Sequence, residues 1–111
     1  MLSKAMVRYL RMTPRKVGYV ITPLRRRTVA EALALLSTTN RRAAKPIAKL
    51  IASAFANARQ QHPELREDAV RITKMVADEG PRWKRGRAAA FGRSSRILKR
   101  TTHLTVELDR V

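Results

Sequence analysis

Cysteine is absent from the 111 residues, and with it go disulfides, thiolate metal ligands and cysteine nucleophiles. Acid is scarce: eight Asp and Glu stand against 25 Lys and Arg, for a formal net charge of +17. Aromatic residues make up 5% of the chain and glycine occurs four times, so the core must come from Leu, Ile, Val, Ala and Met, and no glycine-rich phosphate loop is present. The two histidines, His62 and His103, are far apart and have no carboxylate or cysteine at ligand spacing, which argues against a metal site. Long apolar runs are missing too. The longest, residues 43–58, is broken by Lys45, Lys49 and Asn57, and no apolar signal segment opens the chain. These absences predict a soluble, unsecreted protein with no membrane partner. The acid-free opening, residues 1–16, shares its composition with organelle transit peptides, but reads as a strand leading into a helix cap.

Catalytic constellations are equally thin. Asp78 and Glu79 are adjacent, so on a strand they point to opposite faces, and Gly80-Pro81 follows as a turn signal. No Ser/His/Asp set or nucleotide motif occurs, which predicts a protein that is not an enzyme and needs no cofactor.

What the chain does have is charge and a modest core. Its length suits one domain, and 44% hydrophobic residues suffice to fold it. An excess of +17 opposes compaction by self-repulsion, and a polyanion relieves it: nucleic acid first, an acidic membrane surface second.

Ala5, Val7 and Tyr9 alternate with Met6, Arg8 and Leu10, the period of a half-buried strand. Thr13 then caps a helix opened by Pro14 and carrying Val17, Val20, Ile21 and Leu24 on one face, with Pro23 kinking or ending it. Thr28 and Glu31 form a capping box for a second helix with Val29, Ala32, Leu33 and Leu36 as its apolar stripe. Thr39-Asn40 is expected to cap a third, in which Ile47, Leu50, Ile51, Ala54, Phe55 and Ala58 give the strongest periodicity in the chain. Pro46 lies inside that pattern, so the helix starts later or bends there; His62-Pro63 ends it. The acids of residues 64–68 read as a solvated loop facing away from the polyanion. Residues 70–76 and 102–108 read as antiparallel strands.

Between those strands, residues 82–100 hold Arg82, Lys84, Arg85, Arg87, Arg93, Arg96, Lys99 and Arg100 without a single acid. Such a stretch cannot join a core, and paired as a ribbon it projects on the order of 30 Å. The expected fold is α+β, three helices on a small three-stranded antiparallel sheet with a long basic β-hairpin. It forms one domain, 1–111, with the body at about 1–78 and 102–111 and the arm at about 79–101. Arg8, Arg11, Arg15 and Lys16 lie around the first strand and cap, Arg25, Arg26 and Arg27 in a helix connection, and Arg41 and Arg42 at the third helix. Together with the arm cations, Thr101 and His103, these are the candidate polyanion-binding residues; arginine predominates, which favours bidentate phosphate contacts. Trp83 and Phe91 either stack on unpaired bases or pair across the arm to hold its register. A basic ribbon laid along the DNA minor groove, as in an architectural DNA-binding protein, is the alternative reading of the same charge.

The residues also resemble a family. Thr13-Pro14-Arg15-Lys16-Val17, Ala30-Glu31-Ala32-Leu33, and Ala43-Ala44 leading to Ser53-Ala54-Phe55-Ala56-Asn57-Ala58 are similar to segments of the bacterial-type large-subunit ribosomal protein L-twenty-two family. So are Asp78-Glu79-Gly80-Pro81 with Lys84-Arg85, and Gly92-Arg93 followed by Arg96-Ile97-Leu98-Lys99-Arg100-Thr101-Thr102-His103-Leu104-Thr105-Val106. The resemblance implies the same three-helix, three-strand fold with a hairpin extension. It also implies large-subunit rRNA and neighbouring ribosomal proteins as partners, and a role in early subunit assembly. The body is then expected near the mouth of the peptide exit tunnel and the arm along its wall. The tip, Gly86, Arg87, Ala88, Ala89, Ala90, Phe91 and Gly92, faces the nascent peptide in that arrangement, and no homo-oligomer is expected. The chain departs from the family at this tip, where proline and arginine are common, and at Arg26, where glycine is usual.

Overall fold

A computed structural model describes residues 2–88 and 94–111. The chain runs β1 (Ser3–Leu10), α1 (Pro14–Ile21), a 3-10 turn (Thr22–Leu24), α2 (Val29–Thr38), α3 (Ala44–Gln61) and a second 3-10 turn (Glu67–Ala69). The strands β2 (Val70–Glu79), β3 (Trp83–Ala88), β4 (Ser94–Lys99) and β5 (Thr102–Arg110) follow. The body is an α+β arrangement in which β1, β5 and β2 form an antiparallel sheet in that order.

Local chemistry sets the helix ends. Thr13 Oγ1 accepts the Lys16 amide at 3.3 Å and Pro14 occupies the first turn, where its missing N–H costs nothing. Pro23 cannot extend the ladder, so α1 stops at Ile21 and tightens into a 3-10 turn that buries Leu24. Thr28 Oγ1 accepts the Glu31 amide at 3.2 Å, starting α2. The Glu31 carboxylate turns to Arg27 at 3.5 Å, a solvent-facing pair.

The third helix begins later than the Thr39-Asn40 cap signal predicts. Its N-cap is Ala43, with no side-chain cap. Thr39 instead ends α2, its Oγ1 donating to Leu35 O at 2.7 Å and its amide to Leu36 O. The late start puts Pro46 in the first turn of α3, where the amide it lacks has no carbonyl partner, and the helix tolerates it. From there Ile47, Leu50, Ile51, Ala54, Phe55 and Ala58 are all buried on one face.

That face packs on β1 and β5, α1 packs on β2, and α2 closes against α3. The inner face of the sheet supplies Val70, Ile72, Met75, Leu104, Val106 and Leu108, each at most 1% exposed. Two irregularities bend the sheet. Thr73 is an extra residue between Ile72 and Lys74, its hydroxyl donating to Glu107 O at 3.2 Å. In β1 the register shifts between Val7 and Leu10, with Tyr9 at φ 58°. The alternation read from the sequence therefore fails at its last step: Tyr9 is 56% exposed, and Leu10 packs toward the core in its place.

The free edge of β2 is partly covered by the helix connection. The Arg26 amide donates to Ile72 O and the Ile72 amide to Arg27 O, both at 2.9 Å, and Arg26 takes φ 65° to make the turn. Beyond the body, β3 and β4 form a separate antiparallel ladder. The Cα radius of gyration, 17.1 Å, exceeds the about 13 Å of a compact chain of this length, and the longest axis is 65 Å.

Candidate nucleic-acid interface

The arm leaves the body through a junction built on hydrogen bonds between chemically small groups. The Gly80 amide donates to Thr101 O at 2.9 Å, and Thr101 Oγ1 donates to Pro81 O at 2.7 Å. One residue on, Thr102 Oγ1 donates to Met12 O at 2.7 Å. Both threonines are fully buried. Gly80 is required here for space: a Cβ on it sits 2.5 Å from Thr101 Oγ1 and 3.2 Å from the His103 ring. Glu79 and Arg82 bracket the turn with an exposed ion pair. The Arg82 hydrogen bond holds the Glu79 carboxyl below its ordinary 4.5, and the same bond raises the guanidinium.

Beside this junction lies a cleft of about 670 Å³. Arg11 comes to it from the end of β1, Lys16 from α1, Arg41 and Arg42 from the α2–α3 connection and Arg100 from the arm root, with no acid among the lining residues. Met12, Thr13, Ala43 and the ring of Tyr19 complete its walls. Tyr19 is 56% exposed; the Arg41 guanidinium lies 5.7 Å from its ring centroid, and Arg15 Nε donates to its hydroxyl at 3.3 Å. Low-dielectric walls beneath clustered cations concentrate a positive potential, which suits a phosphate backbone.

The candidates chosen from sequence distribute unevenly over this geometry. Arg11, Lys16, Arg41, Arg42 and Arg100 converge in the cleft, and Arg15 borders it through Tyr19. Arg8 is exposed on β1, with its Nε 3.4 Å from Met6 Sδ. The three arginines of the helix connection are elsewhere. Arg25 Nε donates to Met75 O at 3.2 Å, Arg27 Nε to Pro23 O at 2.8 Å, and Arg26 holds the left-handed turn. The junction holds two more of the candidates. Thr101, being buried and bonded to Pro81 O, has no surface to offer RNA; it orients the arm. His103 Nδ1 accepts the Tyr9 amide at 3.1 Å and its ring meets Tyr9 edge-on at 5.0 Å, so it secures the β1 bulge.

Trp83, Lys84, Arg85, Gly86, Arg87 and Ala88 lie on β3, Arg96 and Lys99 on β4. The ladder pairs Trp83 with Lys99, Lys84 with Leu98, Arg85 with Ile97, Gly86 with Arg96 and Arg87 with Ser95. No pair sets two cations directly opposite, an arrangement that lets a highly charged ribbon form at all. Trp83 stands opposite Lys99 in this ladder. Ala89, Ala90, Phe91, Gly92 and Arg93 lie outside the described residues.

Sequence reasoning missed Tyr19. Its signal was positional: it falls off the stripe of Val17, Val20 and Ile21 and four residues after Arg15, an aromatic left on the wet face of a short helix. Among the described residues no group of His, Asp and Glu is placed to hold a metal ion, and no helix is long and apolar enough to cross a membrane.

Comparison with known proteins agrees with this architecture. Residues 5–109 match the family model described as Ribosomal protein L22p/L17e. The chain is 42% identical over 104 residues to the large ribosomal subunit protein uL22 of Desulfitobacterium hafniense (strain Y51), covering 94% of this chain and 90% of that protein. It is 44% identical to the uL22 protein of Anaeromyxobacter sp. (strain K), over 94% of this chain and 71% of that one. Against the uL22 protein of Thermoanaerobacter sp. (strain X514) the figures are 42%, 94% and 93%. With a match that spans both the helical body and the arm, the chain belongs to the ribosomal protein L22p/L17e family.

Proposed function

We propose that this chain clamps large-subunit rRNA between its body and its arm. As a member of its family it is a structural constituent of the large ribosomal subunit, acting within the ribosome in the cytoplasm, and not an enzyme. The observation that carries the finer reading is the convergence of Arg11, Lys16, Arg41, Arg42 and Arg100, from three separate stretches of sequence, on one acid-free cleft at the root of a basic ribbon. Phosphates held in the cleft fix the body on RNA. The cations of β3 and β4, with Arg93, then run along a second stretch of backbone, while Arg8, Arg15, Arg25, Arg26, Arg27 and Arg82 contribute peripheral charge.

In this reading residues 1–111 act as one domain, with the arm at about 79–101. Body and arm touch different rRNA segments, which suits a role in early subunit assembly beside neighbouring ribosomal proteins. The body sits near the mouth of the exit tunnel, the ribbon lines the tunnel wall, and residues 86–92 at the tip meet the nascent peptide. The departure from the family at the tip bears on that last contact more than on rRNA binding at the arm root.

The test is a salt titration of binding to large-subunit rRNA with equimolar duplex DNA as competitor. Retained RNA binding at physiological salt, undiminished by DNA, is expected; equal competition by DNA would favour an architectural DNA-binding role instead. Within that assay, Arg85→Ala and Arg96→Ala should each weaken binding and lower the salt slope by about one.

A further inference from the structure

The cleft contains more than charge, and the surplus identifies its ligand more closely. A site for backbone phosphates alone needs only cations and amides. Here the cations surround Tyr19, Met12 and Ala43, and Tyr19 is 56% exposed beside a cavity of about 670 Å³ that it lines. The ring is held from two sides, by the Arg41 guanidinium 5.7 Å from its centroid and by Arg15 Nε on its hydroxyl. An aromatic fixed by two arginines beside Arg11, Lys16 and Arg42 offers a flat face next to phosphate ligands, the pair of features by which proteins grip unstacked bases.

Resting on the rRNA-binding reading above, we propose that this cleft takes a single unpaired nucleotide of RNA, its base stacked on Tyr19 and its phosphate held by the surrounding cations. A fully paired helix cannot satisfy the site, because both faces of each of its bases are already stacked. A bulged or looped-out nucleotide can. Arg41 then has two tasks: it neutralises phosphate and it backs the platform on which the base lies.

Two RNA hairpins of equal length, their stems closed by a non-nucleotide linker so that neither has loop nucleotides, test this: one has a single bulged adenosine and the other is fully paired, and each is titrated into the full chain carrying ring-labelled tyrosine. The two tyrosines provide signal and control, since Tyr9 packs against His103 on the body. The bulged hairpin should move the Tyr19 ring resonances upfield and leave those of Tyr9 in place, and the paired hairpin should move neither. Tyr19→Leu should weaken binding of the bulged hairpin about ten-fold and that of the paired one not at all, with Tyr19→Phe close to wild type. If both hairpins bind alike and Tyr19→Leu changes neither affinity, the cleft reads phosphate only, and the nucleotide assignment falls while rRNA binding stands. Failure of both hairpins to bind at low salt would overturn both readings together.

Discussion

Gly80 and Thr101 meet across the root of the arm so closely that a single added methyl group has no room: the Gly80 Cβ position lies 2.5 Å from Thr101 Oγ1. The same two residues share a backbone hydrogen bond at 2.9 Å. Gly80→Ala is therefore expected to destabilise the protein by about 1–3 kcal/mol, measured by chemical denaturation. Thr101→Ala removes the obstructing hydroxyl and also strands Pro81 O, so it is destabilising alone. In the double variant the two losses should fall short of additivity by at least about 0.5 kcal/mol; strict additivity would show that the contact does not limit this turn.

Arg26 occupies a left-handed conformation, φ 65°, that non-glycine residues reach only at a cost of about 1 kcal/mol. Arg26→Gly should raise stability by up to about 0.5 kcal/mol, after allowing for the extra freedom glycine gives the unfolded chain. Arg26→Ala keeps the strain and should show no such gain. Thermal unfolding of the two variants side by side separates backbone relief from the loss of a charge that both share.

The cleft cations predict a pattern in salt dependence. Arg41→Gln and Arg100→Gln should each reduce the slope of log K against log salt for rRNA by roughly 0.7–0.9, one phosphate's worth. Arg66→Gln, beside Asp68 at the acidic end of the molecule, should leave it unchanged. A slope reduced equally by all three would mean that general charge, and not the cleft, governs binding.

Glu79 supplies a small pH dependence. Its carboxyl is held below its ordinary 4.5 first by the Arg82 hydrogen bond and also by the charges of Arg82 and Arg100. The folded form thus favours the carboxylate, so the contribution is present above about pH 4.5 and is lost as pH falls through the lowered folded value. Wild type should exceed Glu79→Gln in denaturation midpoint at neutral pH, and the gap should close in acid. Because both groups are exposed, added salt should narrow it as well.

The elements that could be read from sequence are those whose determinants are local. Thr13-Pro14, Thr28 with Glu31, and the buried series from Ile47 to Ala58 each specify a helix within a few turns, and each lies where its pattern puts it. Thr39-Asn40 misled because a threonine after an apolar stripe serves as well to close α2 as to open α3, and only packing decides between them. Tyr9 misled because period two cannot show a bulge; His103, 94 residues away, is what holds the Tyr9 amide. The cleft was illegible for the same reason. Its charges were all visible, but which of them meet depends on β5 and the α2–α3 connection bringing residues 11, 41 and 100 to one place.

The sheet order has a consequence for how the molecule is made. Of the five strands, β5 comes last along the chain yet lies in the middle of the sheet, so β1 and β2 have no sheet partner until it arrives. Closure of the body is therefore a late event that depends on contacts distant in sequence, and the two-stranded ribbon, whose partners are near neighbours in the chain, does not wait for it.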